Sequence, residues 1–323
     1  MSRTTSALVV TRHGGPEVLS VQSLELPPPG TGEALIEVAA AGVNFIDVYR
    51  REGIYPVPTP FVSNTEGAGT VVEVGPDCDL TPGDRVAWSD VPGSAASHVV
   101  ARASLVVPVP DEVGLETAAG VMLQGMTAHY LVRSTYPIQA GDTALVHAAA
   151  GGMGQLLVRW VTALGGRVLA TASTDEKRAV ATAAGAEAVF GYDDFVDGVR
   201  DVTDQRGVDV VYDGVGATTF DGSLASLRRR GTMVLFGGAS GQVPPFDPQR
   251  LNSGGSLFLT RPKLADHTAE RDELLWRARE VFAAVADGTL SVPIGGRFPL
   301  ADAGRAYEEL EGRRTTGKLL LIP

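Results

Sequence analysis

The chain holds a single cysteine, Cys78, in 323 residues. That excludes an internal disulfide framework and any structural zinc site built from several thiolates, and it suits a reducing cytosol. Cys78 lies in a Gly75-Pro-Asp-Cys-Asp turn with no neighbouring base or cation, so it reads as a bystander rather than a nucleophile. Positive charge is also in deficit, 27 Lys plus Arg against 38 Asp plus Glu leaving a formal net charge of −11. A nucleic acid is therefore not expected as the main partner, and any phosphate has to be held locally. No apolar run approaches the roughly 20 residues of a membrane span, and the stretch over residues 1–10 is too short for a secretory signal. The expectation is a cytoplasmic protein with no membrane partner. Glycine and proline, at 39 and 20, are plentiful instead, the punctuation of a compact, loop-rich, enzyme-like chain, and the length predicts two domains.

Residues 1–124 read as short β-rich segments cut by Gly and Pro, with alternating or β-branched stretches at 34–39, 69–75 and 97–101, the pattern of a small barrel or folded sheet. From Asp142 the period changes. Apolar strands at 143–147, 167–172, 188–190, 208–213, 232–236 and 256–260 alternate with helical stretches at 152–164, 175–184, 195–203 and 218–227, and Gly185 sits where a C-terminal cap belongs. Six strands separated by helices imply a doubly wound parallel sheet, so the fold class is α/β. A long amphipathic helix at 270–286 precedes a terminal strand at 318–323, which needs a sheet to join. The chain is expected to leave its first domain at 124, build the α/β domain over 125–263, and return to the first domain over 264–323.

The strand at 143–147 runs through Ala148-Ala-Ala into Gly151, Gly152, Met153 and Gly154 and then straight into helix. Glycines at such a junction let the backbone approach a pyrophosphate, and the helix start presents unpaired amides and a positive dipole end. The spacing is not the plain G-x-G-x-x-G; the strand before and the helix after make it a dinucleotide site. NAD-binding versions end their second strand in an acid that grips the ribose. Here that strand ends in Ala172-Ser173-Thr174, and Ser173-x-x-Glu176 reads as a capping box. Lys177 and Arg178 follow, which brings a cation to the expected position of a ribose 2′-phosphate. Ser173 and Lys177 are thus candidate cofactor ligands, with Arg178 turned further round the helix, and NADPH is the expected cofactor.

Several segments in order and spacing, Asn44-Phe-Ile-Asp47, Gly53-Ile-Tyr55-Pro56, Glu66-Gly-Ala-Gly69, Gly83-Asp-Arg-Val86, the turn from His147 to Gly154, Val211-Tyr-Asp-Gly-Val-Gly216, Arg230 to Gly237, Leu259-Thr-Arg-Pro262 and the ending Leu319 to Pro323, resemble the zinc-independent quinone oxidoreductases. These belong, with zeta-crystallin, to the medium-chain dehydrogenase/reductase superfamily. The resemblance implies a GroES-like β-barrel domain beside a Rossmann domain. Where the zinc enzymes of that superfamily place a cysteine and a histidine, this sequence has Asn44 and Thr65, so no metal is expected. The five histidines, His13, His98, His129, His147 and His267, are scattered and read mostly as packing or surface residues.

The resemblance also implies NADPH-dependent reduction of a quinone in an interdomain cleft. It points to Asn44, Asp47, Tyr49 and Tyr55 as catalytic-site residues, with Asn44 also placing the nicotinamide or the substrate oxygen and the tyrosines offering ring faces and phenolic donors. On the cofactor side it implies Tyr130, Tyr192, the Phe236-Gly237-Gly238 turn and Arg261. The family often has Ser where this chain has Gly214, so one hydrogen bond to the cofactor is either missing or replaced by a backbone group. Two other readings stand beside this one: an NADPH-dependent reductase of enone or enoyl-thioester double bonds, and a nucleotide-binding structural or RNA-binding protein. An apolar strand at 256–260, last in its sheet, predicts a homodimer that pairs it with its own copy.

Overall fold

A computed structural model describes residues 3–312, 315 and 317–323; Met1 and Ser2, within the first expected domain and the signal reading, and Arg313, Arg314 and Thr316, within the expected return, lie outside the described residues. Two compact units divide the chain: the part up to Met126 together with Glu270–Pro323, and Thr127–Ala269. The sequence reading sets these crossings at 124 and 263. Among the described residues, no helix is long and apolar enough to cross a membrane.

The first unit begins with β1 (Arg3–Val10), antiparallel to β2 (Leu19–Leu26) and flanked on its other edge by β4 (Phe61–Val62). Between β2 and β4 come β3 (Glu33–Gly42) and the short helix α1 (Phe45–Arg51). Strands β5 (Glu66–Val74), β6 (Arg85–Trp88), β7 (His98–Arg102) and β8 (Val107–Pro108) follow, then helix α2 (Leu115–Tyr130). β3 is the centre of this unit because it pairs with both β5 and β7. Its alternation puts Ala34, Ile36 and Val38 into a core with Val71, Val86, Trp88 and Val99. Cys78 packs against that core, which accounts for it without chemistry. The approach of β5 to β3 is close at Gly69, opposite Val38, where a Cβ would come within 2.1 Å of the Glu37 carbonyl oxygen.

The second unit carries β9 (Thr143–Val146), α3 (Gly152–Ala163), β10 (Arg167–Thr171), α4 (Asp175–Ala184), β11 (Ala188–Phe190) and α5 (Phe195–Val202). Then come β12 (Val208–Asp213), α6 (Phe220–Ser226), β13 (Leu227–Leu235), α7 (Gln249–Ser253) and β14 (Phe258–Thr260). All six strands are parallel, in the order β11-β10-β9-β12-β13-β14. This is the doubly wound sheet, and the direction of winding reverses between β9 and β12. Gly185 caps α4 at φ +116°, in the left-handed region open to glycine.

Two boundaries differ from the periodicity. β13 starts at Leu227, not 232, because Leu227 is already extended and ends α6 there. β14 starts at Phe258, not 256, because Ser256 sits at φ +59°, a turn conformation that no strand accepts.

The return begins with α8 (Arg271–Ala286) and continues through β15 (Ile294–Pro299), α9 (Ala303–Glu311) and β16 (Lys318–Ile322). β16 runs parallel to β15 and antiparallel to β3, with Leu320 opposite Gly42 and Leu321 opposite Ala41. Leu319 and Leu321 join Leu8, Val43, Val48, Phe298 and Tyr307 in a second core. The close contact at Gly69 yields a direct expectation. Gly69→Ala forces β5 away from β3 and lowers stability by about 1–3 kcal/mol, the usual cost of overpacking. A urea midpoint shifted downwards checks this, and an unchanged midpoint would show that the two strands can spread.

Candidate active site

The turn after β9 is built by contact rather than by glycine alone. Ala148 takes φ +51°, and its carbonyl accepts the amide of Gly151, the N-cap of α3. Gly154 lets the helix lie against the turn, since a Cβ there would come within 2.4 Å of the Ala148 oxygen. Gly151 and Gly152 are exposed at the start of a 12-residue helix. The geometry supplies a shallow backbone cradle at a helix N-terminus, which suits a pyrophosphate.

Behind the turn stands a buried polar chain. Asp213, at the end of β12, accepts the amides of Val215 and Gly216 at 2.8 and 2.9 Å and the hydroxyls of Thr219 and Ser223 at 2.8 and 2.7 Å. His147 Nε2 lies 2.9 Å from Ser223 Oγ, and its Nδ1 lies 2.9 Å from Thr171 Oγ1. Burial pushes the imidazole down to about 4, against the opposing pull of Asp213. His147, read from sequence as a packing or surface residue, is buried behind the turn with a hydroxyl within hydrogen-bond reach of each ring nitrogen. The ring of Tyr192 stacks near it, with centroids 6.3 Å apart.

At the tip of β10 one sequence reading is corrected. The cap of α4 is Thr174, whose extended backbone suits an N-cap and whose Oγ1 accepts the Lys177 amide at 3.3 Å. Its hydroxyl also bonds Glu176 and holds that carboxyl below its usual range. Ser173 therefore stays outside the cap, exposed. Lys177 is half-buried, while Arg178 turns back to Asp175 at 3.5 Å and lies against Gly191, where a Cβ would meet its Nη2 at 3.2 Å.

The remaining cofactor-side candidates are spread over the second unit. Phe236 lies over Gly214, where a Cβ would come within 2.8 Å of its ring. That ring occupies the space a serine side chain would need. Gly237 approaches the same residue, since a Cβ there would be 2.5 Å from the Gly214 oxygen, and Gly238 closes the turn. Tyr130 is buried and stacked on His267, centroids 4.3 Å apart. Arg261 is exposed after β14.

In the first unit, α1 gathers the other candidates. Asn44 precedes it and Asp47 sits in its first turn, accepting the Asn44 amide at 2.8 Å through Oδ2. The Asp47 Oδ1 has no hydrogen-bond partner, and burial pushes the carboxyl up to about 7 although the Asn44 amide, Lys318 and Arg50 draw it down. Tyr49 and Tyr55 meet edge to face with centroids 5.5 Å apart, and Phe45 lies 6.4 Å from Tyr49. Phe45 and Tyr55 are exposed, so α1 and the segment after it present an aromatic surface.

Two residues that sequence reasoning missed complete the cluster. The Lys318 ammonium donates to Asn44 Oδ1 and to Glu66 Oε2, both at 2.6 Å, and Asn44 Nδ2 donates to the same Glu66 oxygen at 2.7 Å. Glu66 Oε1 accepts the Leu123 amide at 2.6 Å. Asn44, Glu66 and Lys318 are all buried. The amide of Asn44 is thereby committed inside the protein on both its oxygen and its nitrogen. The signal available in sequence was a lysine opening the apolar run Lys318-Leu-Leu-Leu-Ile and an acid opening Glu66-Gly-Ala-Gly. A zinc ion does not suit this donor set of an amide, a hydroxyl at Thr65 and a carboxylate already paired with an ammonium. Among the described residues, no group of three or more His, Cys, Asp or Glu converges elsewhere to hold a metal ion.

Comparison with known proteins agrees with this two-part construction. Residues 30–138 match the alcohol dehydrogenase GroES-like domain and residues 152–262 match the zinc-binding dehydrogenase domain. The chain is 41% identical to a quinone oxidoreductase of Pseudomonas aeruginosa, over 96% of this chain and 97% of that one. It is 38% identical to a 2-haloacrylate reductase from Burkholderia sp, over 98% of each. Among solved structures, a mycobacterial quinone oxidoreductase matches with a TM-score of 0.91 and 50% identity, over 99% of this chain and 100% of that one. The Escherichia coli quinone oxidoreductase complexed with NADPH matches with a TM-score of 0.95 and 40% identity, over the same shares. With both domain models in order and such identity along its whole length, the chain belongs to the quinone oxidoreductase family of the medium-chain dehydrogenase/reductase superfamily.

Proposed function

We propose that this protein is an NADPH-dependent quinone oxidoreductase that works without zinc, as a cytoplasmic homodimer. The observation that carries the zinc-free reading is the Lys318 ammonium held between Asn44 and Glu66. A carbonyl reduced without a Lewis acid has to spread its developing charge itself, and a quinone does so through its own conjugation. Bound NADPH supplies the hydride. The turn at Gly151, Gly152, Met153 and Gly154 takes the pyrophosphate, Ser173 and Lys177 take the 2′-phosphate, and Tyr130, Tyr192, Phe236, Gly237, Gly238 and Arg261 line the rest of the cofactor. Tyr49 and Tyr55 orient a flat acceptor and donate to its oxygen. Asp47 and Asn44 hold the start of α1 beneath them, so Asn44 is better suited to placing α1 than to touching the substrate. The single cysteine fits a reducing compartment.

A second reading has its own support. A 38% identical relative is named a 2-haloacrylate reductase, and a tyrosine phenol suits protonation of the carbon next to a carbonyl. NADPH oxidation with 1,4-benzoquinone, an alkenal and a crotonyl thioester in parallel, each with and without a strong chelator, tests both. The quinone is expected to be reduced fastest and the chelator to change nothing. Alkenal turnover above quinone turnover would favour the second reading, and loss of activity on chelation would defeat the zinc-free one.

Cofactor choice turns on Lys177. A charge-assisted hydrogen bond is worth about 1.5–3 kcal/mol and about 1.4 kcal/mol is tenfold. Lys177→Ala should therefore weaken NADPH by roughly one to two orders of magnitude and leave NADH nearly unchanged; equal effects on both cofactors would take Lys177 out of the site.

The dimer reading rests on β14, which ends its sheet with Phe258 59% exposed. An open apolar edge invites pairing with its own copy about a two-fold axis. Light scattering at micromolar concentration should give twice the chain mass, and Phe258→Lys should lower it to one.

A further inference from the structure

The buried chain behind the phosphate-binding turn has a direction, and the direction assigns it a task. The Asp213 carboxylate accepts from the amides of Val215 and Gly216 and from the hydroxyls of Thr219 and Ser223, and so takes the Ser223 hydroxyl proton. Having one proton and having spent it, Ser223 Oγ can only accept from His147, so Nε2 of the imidazole carries the hydrogen. Nδ1 is then an acceptor, and the group within reach is the Thr171 hydroxyl. With its own proton directed at His147, Thr171 Oγ1 presents a lone pair to the amide of Ala148 at 3.3 Å, while the Thr171 carbonyl accepts the amide of Ala149 at 3.1 Å. Each link of the side-chain series thus decides the next, from a carboxylate on β12 to the Ala148 amide in the turn after β9, while the Ala149 amide is held by main chain alone. Ala148 needs this support because a residue with a Cβ gains nothing from a left-handed backbone.

We propose that His147, as the neutral Nε2–H tautomer, is a positioning residue for NADPH: it transmits the orientation fixed at Asp213 through Thr171 to the turn and so sets the affinity of that turn for the pyrophosphate. The assignment rests on reading the turn as the NADPH site. The position of the imidazole within a complete donor–acceptor chain carries it, and the burial that keeps the ring neutral at physiological pH agrees with it. Hydrogen bonding at the turn is ordered before the cofactor arrives, which reduces what binding has to organise.

Nitrogen-15 NMR of the wild-type protein at pH 7 reads the tautomer directly. A protonated Nε2 and a bare Nδ1 are expected at His147; the opposite tautomer, or a doubly protonated ring, overturns the proposal whether or not any variant folds. Calorimetric titration of NADPH then compares Thr171→Val, which removes the hydroxyl at nearly constant volume, with Thr171→Ser, which keeps it. Thr171→Val should bind NADPH about three- to tenfold more weakly, as loss of one hydrogen bond implies. Its KM for NADPH should rise with kcat and the KM for quinone unchanged, and Thr171→Ser should restore wild-type affinity. Thr171→Val within twofold of wild type defeats the relay. Gly154→Ala, which crowds the turn itself, separates the two levels. If it weakens NADPH while Thr171→Val does not, only the relay fails; if neither does, the turn is not the cofactor site.

Discussion

A lysine ammonium and a glutamate carboxylate, both withdrawn from water, meet in the first unit and, among the described residues, are satisfied by each other and by a few fixed amides. Separating them would leave a buried charge alone, which typically costs about 3–5 kcal/mol, so the segments that carry them are obliged to stay together. Glu66 opens β5, Lys318 opens β16, Asn44 leads into α1, and the Leu123 amide comes from α2. Gly42 at the end of β3 has to lack a side chain, since a Cβ would fall 2.1 Å from the Glu66 oxygen. The placement of Asp47, Tyr49 and Tyr55 follows from this cluster, because α1 starts at the amide that it holds.

The second unit solves a comparable problem with one carboxylate and no cation. Winding reverses between β9 and β12, the place where open α/β sheets generally form a crevice at the carboxyl ends of their strands. Asp213 ends β12 there, and its carboxylate accepts from backbone amides and hydroxyls. Polar groups buried beside an open crevice have to be saturated from within, or water would compete for them.

Periodicity carried the architecture a long way. The alternation of apolar strands with helices made the parallel sheet legible, and the Gly-rich turn with its flanking elements pointed to a candidate cofactor region. What escaped was set by neighbours distant in sequence. Lys318 and Asn44 are 274 residues apart, and His147 meets Ser223 across 76; no local pattern reports such a pairing. Ser173 and Thr174 are both good caps by composition, and the choice of Thr174 rests on backbone angles at the end of β10. The glycine at 214 reads as a hydrogen bond missing or replaced by a backbone group, and the ring that fills the space above it, Phe236, is 22 positions away, just past the next strand.

The split first unit bears on the order in which the protein can assemble on a ribosome. Every strand of the doubly wound sheet is contiguous within Thr127–Ala269, so that unit has all of its partners as soon as its last strand has emerged. The first unit has to wait with Glu66 uncompensated while the intervening domain is made, until β16 delivers the ammonium. Between those moments a buried-to-be carboxylate and the open edge of β3 are exposed together, a charge on one side and unpaired backbone on the other. A charged side chain beside an unpaired edge is the usual means by which sheets discourage edge-to-edge pairing, so the same acid that needs Lys318 in the finished fold suits the unfinished one.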